Sequence, residues 1–384
     1  MGTGKVAALI LAAGYSSRMG DFKPLLSLQG KPVITRTIAG LRQGGITDIR
    51  VVVGYRAADL LPVLSSQGVA PIINKDYHAG MFSSILTGLN SLAGERDGFF
   101  LLPGDIPLVK STTVEKLLEK YHQTGCSVVY PTFLGERGHP PFIARKCFAE
   151  ILAADVEANL SLILEKFAQD ACEVECVDQG VLLDMDTPED YRQILEMLKN
   201  RHIPTQQECR ALFSLVKAPE RVIRHGRAVA EAGEILARVL NEQGGFTLDL
   251  ELIRAAGLLH DLAKGSSEHA RRGADILARE GFPCVAQIIF QHMDLELTGE
   301  DPLLDETAIV YLADKLIKDD TLVGIEARFA QVRSKNKDEP QILEKIEKRL
   351  NTALVLKKQA ELYLAGADLS RFLLEKSSLL KSAD

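Results

Sequence analysis

The stretch that decides the fold is Leu11-Ala12-Ala13-Gly14-Tyr15-Ser16-Ser17-Arg18-Met19-Gly20-Asp21-Phe22-Lys23-Pro24-Leu25-Leu26, which follows directly on an apolar run that begins at Val6. Small residues at the end of a strand let backbone N–H groups approach an anion, because Ala13 and Gly14 have little or no side chain to hold phosphates away. Arg18 and Lys23 add positive charge. The pattern predicts a phosphate-binding loop of a nucleotide site, and an ordinary tight turn is the alternative.

The length and composition of the chain limit its class. A chain of 384 residues predicts two or three domains of about 150 residues each. Its net charge of -7 argues against nucleic-acid binding, since neutralising duplex phosphates requires a basic face. No apolar run approaches the ~18 residues that a membrane helix needs, and the N-terminus lacks the apolar core of a secretory signal. We therefore expect a cytoplasmic protein that binds neither nucleic acid nor membranes.

The cysteines do not form a recognisable pattern. All six are dispersed along the chain, and none forms a CxxC pair. This arrangement predicts neither a disulfide framework nor a thiolate zinc site, and we expect most of the thiols to be buried as small apolar groups.

Strand-like and helix-like runs alternate in the first half of the chain. This alternation is typical of an α/β domain with a mainly parallel sheet. Apolar runs predict strands at 6–11, 49–53, 70–73, 98–102 and 127–130. Amphipathic runs predict helices at 32–42, 82–92 and 113–123. Ligands of such sheets bind at the carboxyl ends of the strands, where the polar motifs of this chain also lie.

Carboxylates follow two of the apolar runs in this half. Asp105 comes directly after Phe99-Phe100-Leu101-Leu102-Pro103-Gly104. Its carboxylate could bind a Mg²⁺ ion that also contacts the substrate phosphates. The alternative is a turn aspartate, which its Pro and Gly neighbours also suit. Asp184 and Asp186 follow Val181-Leu182-Leu183, which we interpret as another strand. Asp186 could supply a second Mg²⁺ ligand, and one of these two aspartates is expected to be structural. Thr187 or Asp186 would cap the helix that begins near Pro188.

Two polar loops could complete the same pocket. The loop 74–84 opens a helix, and its Gly80, Ser83 and Ser84 could contact a base or ribose through backbone groups, with helix capping as the alternative. The turn 135–141 could present Arg137 or His139 to the acceptor substrate. A solvated hairpin tip is the alternative, and we favour it for Arg137.

The motifs LAAGYSSRMG, FKPLL, GMFSS, PGDIP, RGHPPF and DMDTPEDY occur in the order found in MobA-like nucleotidyltransferases. Over residues 1–198 the set most resembles molybdenum cofactor cytidylyltransferases and their xanthine dehydrogenase accessory relatives. The resemblance implies a Rossmann-like fold of the nucleotide-diphospho-sugar transferase type. It also implies transfer of a nucleotidyl group from an NTP to a phosphorylated acceptor such as molybdopterin, with release of pyrophosphate, and a molybdoenzyme apoprotein is a further possible partner.

The resemblance also implies roles for individual residues. Mg²⁺ would be held by Asp105 and Asp186, and the nucleotide would be contacted by the loops named above, through Leu11, Ala12, Ala13, Gly14, Gly80, Ser83, Ser84 and His139. The run Leu11-Ala12-Ala13-Gly14 is similar to the cytidylyl branch, because the guanylyl branch usually has two glycines after the alanine, so CTP is the expected donor. An acceptor phosphate is already an anion and needs no general base. Catalysis would then rest on positioning and on charge stabilisation by Arg18 and Lys23.

The α/β pattern ends after the helix predicted at 188–198. Residues 199–207 are polar and contain a proline, which predicts a linker. From residue 208 to 376 amphipathic helical patterns dominate, with apolar positions such as Ala228, Ala232 and Leu236 on one face, so the second domain is expected to be all-helical. Its charged helix at 341–361 shows no chemistry, and residues 377–384 are expected to form a loose tail.

This helical half carries imidazoles and carboxylates in an informative order, namely His225, His260, Asp261, His269, His292 and Asp314. Any single histidine would more often be a structural residue. However, His260, Asp261 and Asp314 end apolar helical runs, where charges are costly unless they are paired or bound to metal. Imidazoles with carboxylates suit Fe, Mn, Co, Ni or Zn.

The order H…HD…D resembles the HD phosphohydrolase superfamily over residues 208–330, with His225, His260, Asp261 and Asp314 in the positions of its four metal ligands. His269 and His292 match the extra histidines of dinuclear members, and residues 258–314 resemble dinucleoside polyphosphate hydrolases. We hypothesise a second metal bound by His269 and His292 and bridged through Asp261. Such a site activates water for attack on phosphorus, and Lys264 is a candidate to bind the substrate phosphate.

Three classes of function follow from these motifs. The first is a bifunctional enzyme with nucleotidyl transfer in the first domain and phosphoester hydrolysis in the second, connected with molybdenum cofactor maturation. The second keeps the transferase but gives it a sugar phosphate or an alcohol phosphate as acceptor. The third treats the HD domain as a regulatory nucleotide sensor, and the complete ligand sets in both halves argue against it.

Overall fold

Strand β1 (Val6–Ala12) lies in the middle of a sheet, and its side chains are buried on both faces. Alternate residues pack into different apolar clusters, Ala8 and Ile10 into one and Ala7 and Leu9 into the other. A strand covered on both sides must be apolar throughout, which explains the uninterrupted run in the sequence. The computed structural model describes residues 6–92, 94, 96–297, 304–377 and 381–382, and it divides into two compact units between Arg201 and His202.

The first unit is a layered α/β domain. Its described strands are β1, β2 (Ser27–Leu28), β3 (Lys31–Pro32), β4 (Asp48–Val53), β5 (Ala70–Ile73), β6 (Gly98–Pro103), β7 (Val128–Phe133), β8 (Glu136–Arg137), β9 (Phe142–Ala144) and β10 (Ala171–Glu175). Its helices are α1 (Val33–Gln43), α2 (Ala57–Ser66), α3 (Met81–Ser91), α4 (Ser111–Thr124), α5 (Phe148–Leu152), α6 (Leu160–Glu165) and α7 (Pro188–Lys199).

The main sheet has the order β10-β7-β9-β6-β1-β4-β5, with β8 paired to β7. The pairs β1·β4, β1·β6, β4·β5 and β7·β10 are parallel, whereas β9 is antiparallel to both β6 and β7. The predicted mainly parallel α/β fold is therefore confirmed. Because β1 and β6 are parallel neighbours, the loops that follow them lie at the same edge of the sheet.

One predicted strand is wrong. Residues Gln179–Leu182 form a 3-10 helix, and the chain then runs as a loop into α7. The cause is the buried Asp178, whose carboxylate accepts hydrogen bonds from the Gly180 and Lys110 amides and pairs with Arg201. A local side-chain cap of this kind competes with strand pairing.

The second unit is helical, as predicted. Its described helices are α8 (Gln206–Leu215), α9 (Glu220–Gly244), α10 (Leu250–Leu259), α11 (His269–Arg279), α12 (Pro283–Gln291), α13 (Glu306–Leu316), α14 (Ile325–Lys335), α15 (Pro340–Glu361) and α16 (Leu369–Lys376). A small sheet of β11 (Ile317–Lys318), β12 (Thr321–Leu322) and β13 (Lys381–Ser382) is added to them. In the segment expected to be a loose tail, β13 pairs with β12, and residues 378–380 and 383–384 lie outside the described part of the chain.

The cysteine prediction needs a correction. Cys126 and Cys172 form a disulfide, with their Cα atoms 6.1 Å apart, whereas Cys147, Cys176 and Cys209 are buried free thiols and Cys284 is exposed. The pairing escapes sequence reasoning because 46 residues separate the two cysteines, and only the pairing of β7 with β10 makes them neighbours. Among the described residues, no helix is both long enough and apolar enough to cross a membrane.

Candidate active sites

The loop after β1 has the open backbone that a phosphate site needs. A Cβ atom added at Gly14 would meet no protein atom within 4 Å, and the backbone there has no positive φ, so the fold itself does not require glycine at this position. Neighbouring hydrogen bonds hold the loop, because the Tyr55 amide donates to the Ala13 carbonyl at 3.1 Å and the Lys23 amide donates to Ser16 Oγ at 3.3 Å. Gly14 therefore leaves open space beside a backbone that these hydrogen bonds fix in position.

Lys23 lies between the two carboxylates expected to bind Mg²⁺. Its Nζ is 3.0 Å from Asp105 Oδ2 and 2.6 Å from Asp186 Oδ1, and its side chain is only 10% exposed. Burial lowers the pKa of Lys23, but the hydrogen bonds and charges of Asp186 and Asp105 outweigh it and raise the pKa. Arg18 Nη1 reaches Asp186 Oδ2 at 2.6 Å from an exposed position. Four of the predicted residues thus meet at one point.

Backbone contacts bring the two aspartates together across the sequence. The Gly104 amide donates to the Leu11 carbonyl at 2.8 Å, which ties the Asp105 loop to the end of β1. The Met185 amide in turn donates to the Asp105 carbonyl at 3.1 Å. A close approach requires the glycine at 104, because an added Cβ would lie 3.0 Å from the Leu11 oxygen.

The helix that follows Asp186 is capped as the sequence indicated. Thr187 is the N-cap of α7 and forms a capping box with Asp190, while the Asp190 carboxylate also accepts the Asp186 amide at 3.1 Å. Asp184 is exposed, and desolvation together with the charges of Asp186 and Asp105 raises its pKa. Of the two neighbouring aspartates, Asp186 is the one in contact with Lys23.

The residues present fit a magnesium ion. Hard divalent cations take carboxylate oxygens as ligands, and here two carboxylates already share one cation, the Lys23 ammonium. Both aspartate side chains keep 25% of their surface exposed, so a cation from solvent can reach them by displacing the ammonium.

A cavity of about 620 Å³ opens at the same edge of the sheet and is lined by Leu11, Gly80 and His139 among others. Arg137 also lines it, although this side chain is half exposed, pairs with Glu173 at 2.6 Å and lies over the Tyr130 ring. The His139 imidazole is partly buried, which lowers its pKa, and its Nδ1 is a buried atom with no hydrogen-bond partner in the structure.

The two serine hydroxyls of the 74–84 loop form hydrogen bonds within the protein. Ser83 and Ser84 are buried, and both accept hydrogen bonds from Asn74 Nδ2, at 2.9 and 3.0 Å. Ser83 Oγ also donates to the Gly80 carbonyl at 2.7 Å. These hydroxyls hold the start of α3, and neither side chain lines the cavity, because the first turn of the helix directs them inward.

In the second unit, all six candidate ligands converge although they come from five segments of the chain. His225 Nε2 lies 3.2 Å from Asp314 Oδ1, and His260 Nε2 lies 3.6 Å from the same oxygen. On the other side, His269 Nε2 and His292 Nε2 lie 3.2 and 3.6 Å from Asp261 Oδ1. The atoms form two groups of potential metal ligands, His225 with His260 and Asp314, and Asp261 with His269 and His292.

Backbone carbonyls orient three of the imidazoles. His225 Nδ1 contacts the Asp319 carbonyl at 2.7 Å, His260 Nδ1 the Gly257 carbonyl at 2.7 Å and His292 Nδ1 the Ile289 carbonyl at 2.6 Å. A carbonyl can only accept, so each Nδ1 carries the hydrogen and each Nε2 points to the centre. This is the arrangement by which proteins prepare histidines for metals.

Two glycines make the underlying helix contact possible. A Cβ at Gly226 of α9 would lie 2.2 Å from the Leu258 carbonyl, and a Cβ at Gly257 of α10 would lie 2.8 Å from Ala230 Cα. The two helices can therefore approach closely only without these side chains. His225 adjoins Gly226 and His260 follows Gly257 by three residues, about one helical turn, so the contact brings their rings to a centroid distance of 5.0 Å.

The charges at this centre fit bound cations. Burial lowers the pKa of His260, but Asp261 and Asp314 overcome it and raise the pKa to about 9, whereas burial lowers the pKa of His292 to about 4. A neutral His292 with its hydrogen on Nδ1 turns a lone pair toward Asp261 Oδ1, an arrangement that a cation between them would stabilise. His260 Nε2, Asp261 Oδ1, His269 Nε2 and His292 Nε2 are buried without a hydrogen-bond partner.

Three cationic side chains surround the two aspartates. Lys264 Nζ contacts Asp261 Oδ2 at 2.8 Å, so the predicted phosphate-binding lysine lies at the centre. Sequence reasoning missed the buried Lys315, 2.7 Å from Asp314 Oδ2, and Arg328, 3.1 Å from Asp314 Oδ1. Lys315 adjoins Asp314 in the sequence and could have been found by that signal. Arg328 comes from a different helix, and nothing local marks it.

Comparisons with known proteins agree with this geometry. The family model of the MobA-like NTP transferase domain matches residues 8–172, and that of the HD domain matches residues 222–319. The chain contains a MobA-like NTP transferase domain followed by an HD domain. Together they indicate a nucleotidyltransferase with a metal-dependent phosphohydrolase domain, and both domains belong to classes that use divalent metals.

The relatives of the transferase domain are distant. The molybdenum cofactor cytidylyltransferase of Escherichia coli (strain K12) is 27% identical over 187 residues, which cover 48% of this chain and 93% of that protein. The bifunctional protein GlmU of Syntrophomonas wolfei is 30% identical over 168 residues, 43% of this chain and 35% of that protein. A solved nucleotidyl transferase from Methanothermobacter is 24% identical, with a TM-score of 0.46 over 52% of this chain and 99% of that one.

Proposed function

We propose that the transferase domain moves a cytidylyl group from CTP to the phosphate of molybdopterin, releasing pyrophosphate. The observation that carries the proposal is the Lys23 ammonium held between Asp105 and Asp186 beside the open backbone at Gly14. The similarity to a molybdenum cofactor cytidylyltransferase supports the choice of nucleotide and acceptor.

The side chains have distinct parts in this reaction. The Ala13–Gly14 backbone would lie against the phosphates of CTP, where no Cβ occupies the space. Lys23 and Arg18, which now contact Asp186, would balance negative charge on the phosphates during transfer. Asp105 and Asp186 would hold Mg²⁺, which neutralises charge on the reacting phosphates. The acceptor phosphate attacks as an anion, so the site needs no general base.

A substrate panel tests this proposal. Purified protein is incubated with Mg²⁺, one of CTP, GTP or UTP, and either molybdopterin or a sugar phosphate, and pyrophosphate release is measured. We expect turnover to be highest with CTP and molybdopterin. Highest turnover with a sugar phosphate or an alcohol phosphate would contradict the acceptor, and highest turnover with GTP would contradict the base.

A pair of variants tests the metal ligands. Asp105→Ala should abolish pyrophosphate release while the melting temperature stays near that of the wild type. Glu189→Ala, an exposed position on α7, is the matched control and should keep full activity. Full activity of Asp105→Ala would refute the assignment of this ligand.

We also propose that the HD domain is a dinuclear phosphohydrolase. His225, His260 and Asp314 would hold one ion, His269 and His292 a second, and Asp261 would bridge them, since its Oδ2 faces the first histidine pair and its Oδ1 the second. The donor set suits Fe, Mn, Co, Ni or Zn. Such ions supply an activated water for attack on phosphorus.

Metal analysis tests this second site. Protein prepared anaerobically with excess metal should contain two ions per chain. Asp261→Asn should lower that content to one or none, whereas Asp275→Asn, an exposed position on the same helix as His269, should not change it. Fewer than two ions in the wild-type protein would contradict the dinuclear arrangement.

A further inference from the structure

A cleft of about 280 Å³ opens directly beside the histidine and aspartate cluster of the HD domain. His225 and Asp261 form its floor, and its walls come from the start of α9, from residues 317–319 and from α14. Helix α14 lies beyond the residues that the HD family model matches. The cleft therefore combines the shared metal-ligand set with one wall, α14, that the family model does not cover.

The lining of this cleft is strongly basic. Its cationic side chains are Arg221, Lys264, Lys318, Arg328 and Lys335. Two carboxylates, Asp261 and Asp319, accompany them. In a chain whose net charge is -7, such a local excess of positive charge indicates a ligand that is itself a polyanion.

The size and the apolar content of the cleft restrict that polyanion. Pockets for ligands of nucleotide size usually occupy about 300–1,000 Å³ and include hydrophobic or aromatic walls. This cleft lies just below that range, and no phenylalanine or tyrosine is found among the described residues that line it. Val222, Ile317 and Val332 are its apolar residues. A base would find no phenylalanine or tyrosine ring to stack on, whereas a short phosphate chain would meet cations on several sides.

We propose that the HD domain hydrolyses inorganic pyrophosphate, a short phosphate chain without a nucleoside. This inference rests on the hydrolase function proposed above and names its substrate. In the reaction, the oxygen of water forms a bond to one phosphorus and the bond between that phosphorus and the bridging oxygen breaks. The bridging oxygen leaves with the second phosphorus, and the two protons of water end on the two products, so that P₂O₇⁴⁻ and H₂O give two HPO₄²⁻.

Two groups of cationic residues in the cleft would bind different ends of the pyrophosphate. Lys264 and Arg328 contact the aspartates Asp261 and Asp314 and would lie nearest the phosphorus that water attacks. Arg221, Lys318 and Lys335 are exposed at the surface and would hold the second phosphate, the leaving group. Lys318 Nζ donates to Gln331 Oε1 at 2.6 Å, which fixes its position across the cleft from α9.

This substrate gives the two domains a common reaction sequence. Nucleotidyl transfer from an NTP to a phosphate releases pyrophosphate and is readily reversible, because one phosphoanhydride bond is made as another is broken. Hydrolysis of the released pyrophosphate would draw the transfer toward product. The class of reaction that supplies the substrate is thus the one proposed for the other domain of the same chain.

The test uses the full-length, metal-loaded protein. Pyrophosphate, ATP, diadenosine tetraphosphate and bis(p-nitrophenyl) phosphate are offered separately. The products are measured as phosphate, as p-nitrophenol or, for ATP and diadenosine tetraphosphate, as the adenine nucleotides formed. We expect the highest kcat/KM for pyrophosphate, with two phosphates formed from each molecule. The triple variant Arg221→Gln, Lys318→Gln, Lys335→Gln should raise the KM for pyrophosphate at least tenfold and change kcat less than threefold.

Arg333→Gln is the matched control. Arg333 lies on α14 like Lys335 but pairs with Glu347 and does not line the cleft, so its substitution should leave both constants unchanged. A binding measurement independent of turnover completes the test. Calorimetric titration with imidodiphosphate, whose P–N–P bridge resists hydrolysis, should show at least tenfold weaker binding to the triple variant than to the control.

The outcomes separate this inference from the proposal beneath it. A higher kcat/KM for ATP or diadenosine tetraphosphate, or a triple variant that behaves like the control, would overturn the pyrophosphate assignment. Cleavage of bis(p-nitrophenyl) phosphate without cleavage of pyrophosphate would overturn it while leaving the hydrolase function intact. If the metal-loaded protein cleaves none of these compounds, the hydrolase function itself fails.

Discussion

Replacement of Lys23 by methionine should separate the structural role of this ammonium from that of Mg²⁺. In the structure, Lys23 holds Asp105 and Asp186 together, so it occupies the carboxylate oxygens that the metal would need. Methionine keeps most of the aliphatic side chain and removes the ammonium, with its charge and its two hydrogen bonds. We expect Lys23→Met to be less stable without Mg²⁺ and to respond more strongly when Mg²⁺ is added, because no ammonium must be displaced.

The magnitude follows from the two contacts. A hydrogen bond between charged groups contributes about 1.5–3 kcal/mol, and the loss of two from a side chain that is only 10% exposed should lower the free energy of unfolding by about 3 kcal/mol. For a unit of roughly 200 residues, about 2–4 °C of melting temperature corresponds to each kcal/mol, so the expected decrease is about 6–12 °C.

Arg18→Met is the matched control. Arg18 contacts the same Asp186 at 2.6 Å, but its side chain is 73% exposed, and an exposed ion pair contributes about 0–1 kcal/mol. Its melting temperature should therefore fall by less than about 4 °C. Scanning calorimetry with and without Mg²⁺ measures the melting temperature of both variants. The transition to follow is the one whose melting temperature changes when CTP is added.

Two results would refute this reasoning. Equal melting temperatures for Lys23→Met and Arg18→Met would mean that Lys23 does not bridge the carboxylates. A stabilisation of Lys23→Met by Mg²⁺ no larger than that of the wild type would mean that the metal binds elsewhere.

Three other substitutions are informative. Gly14→Val should weaken CTP binding by at least tenfold in a titration without lowering the melting temperature, because the added side chain enters space that holds no protein atom; unchanged CTP affinity would exclude Gly14 from the nucleotide site. Gly226→Ala should destabilise the HD domain by about 3 kcal/mol in denaturant unfolding and lower its metal content, since the new Cβ would lie 2.2 Å from the Leu258 oxygen. At Gly273 the only close neighbour of a new Cβ is a flexible isoleucine methyl at 3.2 Å, and two Ala263 atoms lie at ordinary contact distance, so Gly273→Ala should cost less than about 1 kcal/mol. Equal stabilities would contradict the close helix contact. Thr187→Ala should cost about 1 kcal/mol in the same assay by removing the N-cap of α7, and a loss below 0.3 kcal/mol would show that the cap is dispensable.

The local sequence pattern was sufficient to predict the positions of several strands in the first domain. Strand β5 (Ala70–Ile73) agrees with the prediction at both ends, and β1 and β4 differ by one residue. Apolar runs bounded by glycine and aspartate carry this information because a buried strand must be apolar on both faces. The run Val181-Leu182-Leu183 shows the limit of the same rule, since the buried carboxylate of Asp178 and its distant partners, Lys110 and Arg201, turn it into a 3-10 helix.

For the polar side chains of the two sites too, some properties could be predicted from the sequence and others could not. The order of motifs along the chain was enough to predict the ligand types, because carboxylates and imidazoles at the ends of apolar runs are costly without a partner. It could not show that Ser83 and Ser84 face Asn74, since a serine after a glycine suits both a ligand contact and a helix start.

The residue types at each site, and thus the chemistry open to them, follow from the amino-acid sequence, because donor atoms and apolar periodicity are local properties. Which atoms meet follows only from the tertiary structure. Lys23 joins Asp105 and Asp186, 82 and 163 residues away, and Arg328 reaches Asp314 from another helix. Such contacts depend on strand order and helix packing. Hydrogen bonds and steric contacts between distant segments fix these positions, and no local sequence pattern encodes them.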